Sequence, residues 1–283
     1  MKPLRSWVLA PWLLFAACSE SSTPDPTQPV ADAGTRADGG TAQPPPTGEP
    51  VPADAGTSVE APRYEHYIRR RPYANLVLEV DGWGGYTPTA SVSDKLAKGL
   101  LGVLDKERVE VVVDQAFPGK GADHAWTNQE LYSLAEQTVS LAVPEGTIKL
   151  HVMLVDGHSA SDTADGKVLG LAFPWTHLVL FRQTMDSVCN KGSPLNQCAK
   201  AELGVWAHEV GHQLGLVNNG LAMTTTHQDS AHGAHDTNDQ CVMYWAYEGS
   251  SGLSGLVGLF GDAPNLGFDD ACLADLNAVK TRP

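Results

Sequence analysis

Three short apolar stretches of the chain have the length and residue types of β-strands, and the first alternates apolar with polar residues. These stretches are Asn75–Asp81, Val109–Val113 and Ile148–Val155. Between them, apolar residues recur every three or four positions, around Leu96–Leu104 and Leu131–Leu141, which is typical of amphipathic helices. A β-α-β-α-β order with short links predicts an α/β fold with a mostly parallel, twisted sheet and right-handed crossovers.

Polar residues mark where these two helices begin. Ser91 or Ser93 is the expected N-cap of the first helix, and Thr127 with Glu130 forms a capping box for the second. Further along the chain, Val168–Ala172 and Leu178–Phe181 have the pattern of two more short strands. A buried helix follows them, and a last helix is expected around Asp269–Val279.

The first 18 residues have the features of an export signal. Lys2 and Arg5 precede an apolar run, Trp7–Ala17, which is shorter than the roughly 20 residues that span a bilayer. The run ends in FAAC, which resembles a bacterial lipoprotein box with Cys18 as the lipidated residue. We therefore expect an exported cell-envelope lipoprotein, with the outer membrane as its site, or else a freely secreted protein.

Residues 19–62 contain no Leu, Ile, Met or aromatic residue and are dense in Pro, Ala, Gly, Thr and Asp. Such a segment cannot bury enough apolar surface to offset its ordering entropy, so we expect a disordered tether. Residues 63–283 are then expected to form one folded domain.

The chain has a formal net charge of −14. This acidic balance argues against nucleic acid as a partner, because binding to phosphates needs basic patches. It also argues against a polybasic membrane-surface binder, so membrane contact is expected only through Cys18. We expect a monomer.

The buried helix before the last third of the chain contains the sequence AHEVGHQLGLVNNG. Four-residue spacing places His208 and His212 on one face of a helix, about one turn apart, where both imidazoles can bind one metal ion. Glu209 then lies beside the metal, where it can take a proton from water. Gly215 follows where a helix can end through a left-handed residue.

These residues resemble those of the metzincin zinc peptidases, whose extended motif is H-E-x-x-H-x-x-G-x-x-H. HEVGHQLG matches its first eight positions, but Asn218 stands where the family has its third histidine. A neutral amide is a poor zinc ligand. The resemblance therefore implies that a third ligand comes later in the chain, from His227, His232 or His235.

A second motif favours His235. HDTNDQCVM resembles the archaemetzincin pattern H-C-x-x-x-x-C-x-M, with Asp236 in place of the first cysteine. Met243 with Tyr244 resembles the Met-turn that underlies the metal in metzincins, and the spacing also suits the matrixin branch. The resemblance thus implies a metzincin-like zincin domain with residues 216–234 as an insertion before His235.

By the same resemblance, the expected activity is that of an endopeptidase with a catalytic zinc ion held by His208, His212 and His235. Glu209 would activate the attacking water, and the substrate would be a peptide or protein. Residues Gly170–Phe173 lie where the family has the strand at the rim of its cleft.

Two alternatives stay open. In the first, the chain is a non-catalytic zinc-binding surface lipoprotein with the same fold. In the second, it is a different zinc hydrolase whose third ligand is a carboxylate such as Glu248 or Asp270.

Two other features bear on the domain. The loop Asp156–Gly166 holds three aspartates, which leaves a structural calcium site as an alternative to a solvated turn. Four cysteines follow Cys18, and an exported protein with an even number favours disulfides. Cys189 with Cys198 and Cys241 with Cys272 are the expected pairs, the other pairings remaining open. The rival is a second zinc site built from these cysteines, as in archaemetzincins.

Overall fold

The computed structural model describes residues 63–84, 86–174, 176–189, 197–259 and 265–282. The expected signal peptide and tether, residues 1–18 and 19–62, lie outside the described residues. The elements, in chain order, are α1 (Tyr64–Ile68), β1 (Asn75–Trp83), α2 (Ala90–Val103), β2 (Arg108–Phe117), β3 (Ala125–Trp126), α3 (Asn128–Thr138), β4 (Thr147–Val155), β5 (His158–Ser159), β6 (Gly170–Phe173), β7 (His177–Phe181), α4 (Arg182–Val188), α5 (Gln197–Gln213), two 3₁₀ helices (Trp245–Glu248 and Ser250–Gly252), α6 (Leu253–Leu259) and α7 (Asp270–Lys280).

Five strands form one sheet in the order β2-β1-β4-β7-β6. Strands β1, β2, β4 and β7 are parallel to one another, and β6 pairs with β7 in the antiparallel direction at the edge. Strands β3 and β5 form a separate two-stranded sheet. The prediction of a mixed α/β fold with a mostly parallel sheet is confirmed.

Helices cover both faces of the sheet. On one face, α2, α5 and α7 contribute Leu96, Leu100, Trp206 and Leu276 to the larger apolar core. On the other, Leu131 and Ala135 of α3 pack with Phe117 and Phe181. Strand β7 is buried along its whole length, as expected for a central strand between two layers. No helix in the described part of the chain has both the length and the apolar character to cross a membrane.

The two predicted helix starts have different outcomes. The capping box of α3 is confirmed, since Thr127 Oγ1 accepts from the Glu130 amide and the Glu130 carboxylate accepts from the Thr127 amide. The prediction of Ser91 or Ser93 as the cap of α2 is wrong, because the cap is Thr89. The Thr89 amide and hydroxyl both donate to the Glu202 carboxylate of α5, at 3.1 and 2.9 Å. A tertiary contact therefore determines where α2 begins.

Candidate metal centre

Helix α5 positions the first two histidines of the motif in the interior. The helix is buried from Ala201 to Gln213, and His208 and His212 lie one turn apart with their Nε2 atoms separated by 3.1 Å. The helix ends before Gly215, whose φ of +75° is the left-handed conformation that glycine adopts without strain. The motif thus places two imidazoles side by side at the end of a buried helix.

Met243 lies directly beneath this helix. A side chain at Gly211 would place its Cβ 2.2 Å from Met243 Sδ, so only glycine leaves room for the methionine. Met243 is fully buried, and its carbonyl accepts from the Asp236 amide at 2.8 Å. The packing therefore connects the histidine helix to the segment that carries the third histidine.

His235 completes a group of three imidazoles. Its ring centroid lies 5.3 Å from that of His208 and 5.0 Å from that of His212. Nδ1 of His208 lies 2.6 Å from the Val242 carbonyl oxygen, and Nδ1 of His235 contacts the His232 carbonyl oxygen. With Nδ1 directed at these carbonyls, the Nε2 atom of each ring lies toward the centre of the group, which is the usual orientation of metal-binding histidines.

Glu248 adds a carboxylate to the three imidazoles. Its Oε1 lies 2.9 Å from Nε2 of His235, 3.4 Å from that of His212 and 3.7 Å from that of His208. Burial alone would raise the pKa of Glu248, but its contacts with the three imidazoles hold that pKa well below the usual range. Glu248 therefore remains ionised at neutral pH.

The donor set fits a zinc-sized cation. The four donor atoms lie within 4.8 Å of one another. Tetrahedral coordination with bonds of about 2.0–2.1 Å requires donors about 3.4 Å apart, and four of the six donor pairs are separated by 2.9 to 3.7 Å. Burial lowers the pKa of His212 to about 4, so its lone pair is free of a proton at neutral pH. Imidazole and carboxylate are both common zinc ligands.

Glu209 lies buried next to this group with no bonded partner. It is 1% exposed, and neither carboxylate oxygen has a hydrogen-bond partner among the residues that the structure describes. Its Oε1 fills the space that a side chain at Gly170 would need, since a Cβ there would be 2.4 Å away. Burial, and then the charge of Glu248, raise the pKa of Glu209 well above its usual range. Burial beside a second carboxylate thus favours proton uptake by Glu209.

The other histidines of the insertion lie elsewhere. His227 is held between Asp236 and Asp275, at 2.5 and 3.0 Å, and the hydrogen bond to Asp236, together with that to Asp275, raises its pKa to about 9. The ring of His232 stacks on Trp245 at 4.2 Å and bonds to Asp229. The structure thus brings His235 to the two helix histidines and places His227 and His232 away from them.

Asn218 and Asp270 are also outside the group. The Asn218 side chain donates to Gln228 Oε1 at 3.0 Å. Asp270 is exposed at the first turn of α7. Of the two carboxylates considered as an alternative third ligand, Glu248 is therefore in the group, and it is there together with His235 rather than in its place. The sequence alone did not indicate this combination.

One of the two expected disulfides is formed and the other is not. Cys189 and Cys198 form a disulfide, as expected. Cys241 and Cys272 are free thiols with sulfur atoms 3.7 Å apart, so the second expected disulfide is not formed in this structure. Cys272 belongs to a second group of side chains that could hold a metal ion, together with His227, Asp236 and Asp269. His227 already bonds two carboxylates there, and its proton neutralises part of their charge.

The expectation of a calcium site in the loop Asp156–Gly166 has no support. Asp156 Oδ2 accepts from the Gly121 amide, and Asp162 Oδ1 accepts from the Val168 amide. Lys167 lies 3.4 Å from the other oxygen of Asp162. These carboxylates close loops instead of pointing to a common centre.

Comparisons with known proteins give similarities of structure. No protein-family model matches the chain, and no curated protein matches it. Among solved structures, the chain is similar to the crystal structure of archaemetzincin from Methanopyrus kandleri, with 19% sequence identity and a TM-score of 0.46. The similarity covers 74% of this chain and 97% of that one.

Proposed function

We propose that this protein is a zinc-dependent endopeptidase whose metal ligands include His208, His212 and His235 and whose general base is Glu209. The observation that carries the proposal is the convergence of the Nε2 atoms of three histidines beside a buried carboxylate that has no partner within the described residues. Three neutral histidines with an adjacent glutamate form the donor set of a zinc hydrolase.

Zinc, when bound, would supply the Lewis acidity that polarises a peptide carbonyl and makes water more acidic. Glu209 takes a proton from the attacking water and delivers it to the leaving amine. Burial and the nearby charge of Glu248 raise the pKa of Glu209, which favours its holding the proton between the two steps. Met243 provides an apolar floor beneath the histidine helix.

The substrate would be an extended peptide lying along β6. This strand is at the edge of the sheet, and its first residue, Gly170, contacts Glu209. Backbone pairing with an edge strand is a common way to bind extended peptides. Such pairing would bring a peptide carbonyl past the three histidines.

Export is also part of the proposal. We propose that residues 1–18 direct export and that Cys18 carries a lipid anchor in the cell envelope, with residues 19–62 as a tether. Incorporation of radiolabelled palmitate into the wild type and not into Cys18→Ser supports the anchor. Equal labelling of the two would overturn it.

The full-length chain tests the activity, with hydrolysis of a mixed library of quenched fluorescent peptides as the readout. Glu209→Gln keeps the shape of the side chain but cannot accept the proton. We expect its hydrolysis rate to fall by at least about 100-fold with zinc content unchanged. Glu136→Gln, an exposed change on α3, is the matched control and should keep the wild-type rate. Equal rates for the wild type and Glu209→Gln would refute the peptidase proposal.

One observation favours a second function, a zinc-binding protein without catalysis. Glu248 stands where a water ligand would be needed, and structural zinc sites are closed by a fourth protein ligand. Zinc bound with no hydrolysis by any variant, including Glu248→Ala, would support this second function.

A further inference from the structure

We propose that Glu248 is a fourth metal ligand and that its side chain closes the site until it swings away. The proposal rests on the proposed function in one respect, namely that His208, His212 and His235 hold the metal. It adds that the resting protein has no open coordination position, and that Glu248 controls when one becomes available.

The Glu248 carboxylate lies where a fourth ligand of the same ion would lie. One oxygen, Glu248 Oε1, lies within 3.7 Å of all three Nε2 atoms. A carboxylate that only oriented one histidine would bond that histidine and lie far from the others. An oxygen shared among three converging nitrogens instead occupies the fourth corner of the same coordination shell.

The main chain at Glu248 is held by hydrogen bonds, whereas its side chain can rotate. Its carbonyl accepts from the Leu169 amide at 2.8 Å, and the Ser250 amide donates to the Lys167 carbonyl at 2.8 Å. Gly249 also forms a bridge with Val168. These bonds fix the main chain on both sides of Glu248 against the segment that leads into β6. Only the side chain is then free to leave, by rotation about its own bonds.

The side chain of Glu248 can rotate toward solvent. Glu248 is 19% exposed, whereas the side chain of His208 is fully buried. Part of the Glu248 side chain is therefore exposed, and rotation would transfer the carboxylate into water without unfolding its helix. The segment it is bonded to, through Leu169, directly precedes Gly170 of β6. A peptide paired with β6 would therefore lie next to Leu169, whose amide is bonded to the Glu248 carbonyl.

Ligation by Glu248 would also change the charge at the metal. A carboxylate ligand cancels one of the two positive charges of a zinc ion, whereas a water ligand cancels none. Ligation by Glu248 would therefore weaken the Lewis acidity available for polarising a carbonyl. It would also occupy the position next to Glu209, which leaves that base without a water to activate. Ligation by Glu248 would therefore strengthen metal binding but hinder catalysis.

The test uses the full-length chain loaded with Co²⁺, whose visible absorption reports its ligands, and azide as a small probe of an open position. Wild type is compared with Glu248→Gln, which keeps the volume of the side chain but is a poor ligand, and with Glu248→Ala. Asp239→Asn, an exposed change a few residues away, is the matched control. The dissociation constant for Co²⁺ is measured by chelator competition.

We expect azide to shift the spectrum of both Glu248 variants and to leave that of wild type and Asp239→Asn unchanged. We also expect the Co²⁺ dissociation constant of the Glu248 variants to rise by about 10- to 100-fold. An azide shift of equal size in wild type, or unchanged affinity in both variants, would overturn the proposal. Far-ultraviolet circular dichroism verifies that each variant is folded.

Peptide hydrolysis by the same proteins separates this proposal from the proposed function. If the spectra change as expected but no variant cleaves peptides, Glu248 is a ligand and the peptidase proposal fails. If hydrolysis depends on Glu209 but azide binds wild-type protein, the peptidase proposal stands and the role of Glu248 fails. If no variant and no wild-type protein binds Co²⁺, both fail.

Discussion

Two buried groups of histidines and carboxylates lie next to each other and differ in composition. The three-histidine cluster consists of His208, His212, His235 and Glu248, and the His227 cluster of His227, Asp236 and Asp275. Their chain segments meet at one peptide bond, since His235 belongs to the first and Asp236 to the second. The same short segment thus serves two sites of opposite character.

The difference lies in the ratio of imidazoles to carboxylates. In the His227 cluster, one ring has a carboxylate at each nitrogen, so a protonated imidazole satisfies both and the group needs no ion. In the three-histidine cluster, three Nε2 atoms meet a single carboxylate. Only a cation with several coordination positions can satisfy all of them. Composition, rather than burial or the presence of histidine, distinguishes a metal site from an ion pair.

Removing a histidine from the three-histidine cluster should have the largest effect. His235→Ala deletes a ligand, and we expect its zinc dissociation constant to rise by more than about 100-fold, since even changes to residues that orient ligands cost 10- to 100-fold. Competition with a chromophoric chelator measures this. His232→Ala, which removes a half-buried ring stacked on Trp245, is the control. Equal affinities of the two variants would contradict the assignment of the third ligand.

Breaking the His227 cluster should cost stability and leave metal binding intact. Asp275→Ala removes one carboxylate from a buried, charged histidine, which typically costs about 3–5 kcal/mol. Urea unfolding measures the free energy of unfolding, with Asp270→Asn on the same helix as an exposed control. A zinc affinity lowered as strongly as in His235→Ala would show that the two clusters are not independent.

The pH dependence of stability should also separate the two clusters. The folded-state pKa of His227 is raised to about 9 from an ordinary value of 6.5, so its contribution is complete below pH 6.5 and is lost as the pH rises through 9. The loss amounts to roughly 3 kcal/mol by linkage. The difference in unfolding free energy between wild type and His227→Gln, measured from pH 6 to pH 10, should shrink as the pH rises. A constant difference would exclude a charged His227.

The smallest effect is expected at the floor of the three-histidine cluster. Gly211→Ala places a methyl group against Met243, and overpacking of this kind costs about 1–3 kcal/mol. Gly258→Ala on α6 has nothing within 4 Å of the new atom and should instead stabilise the protein by up to about 1 kcal/mol. Thermal unfolding compares the two. If Gly211→Ala instead raised the unfolding temperature, Met243 would be able to move aside without loss of stability.

The sequence predicts those features that depend on local spacing. The parallel direction of the main strands follows from the alternation of predicted strands with predicted helices, and the capping box of Thr127 with Glu130 follows from two side chains three residues apart. His208, Glu209 and His212 are adjacent on one helix. His235 could be predicted only from the resemblance between short motifs, because an insertion separates it from that helix.

Features that depend on distant contacts were not predictable. The start of α2 depends on the bonds between Thr89 and Glu202, which are 113 residues apart. Glu248 reaches the histidines because its 3₁₀ helix is bonded to residues 167–169. The room for Glu209 depends on the absence of a side chain at Gly170. In each case, a partner far along the chain determines the geometry.

X-ray absorption at the zinc edge tests the central claim most directly, because it reports the atoms bound to the metal in the full-length chain. The account predicts a single shell of nitrogen and oxygen at about 2.0–2.1 Å with imidazole scattering. That shell should be disrupted in His235→Ala and unchanged in His227→Gln. A sulfur shell at about 2.3 Å would instead place zinc at Cys241 and Cys272, in the neighbourhood of His227, and would contradict the distinction between the two clusters.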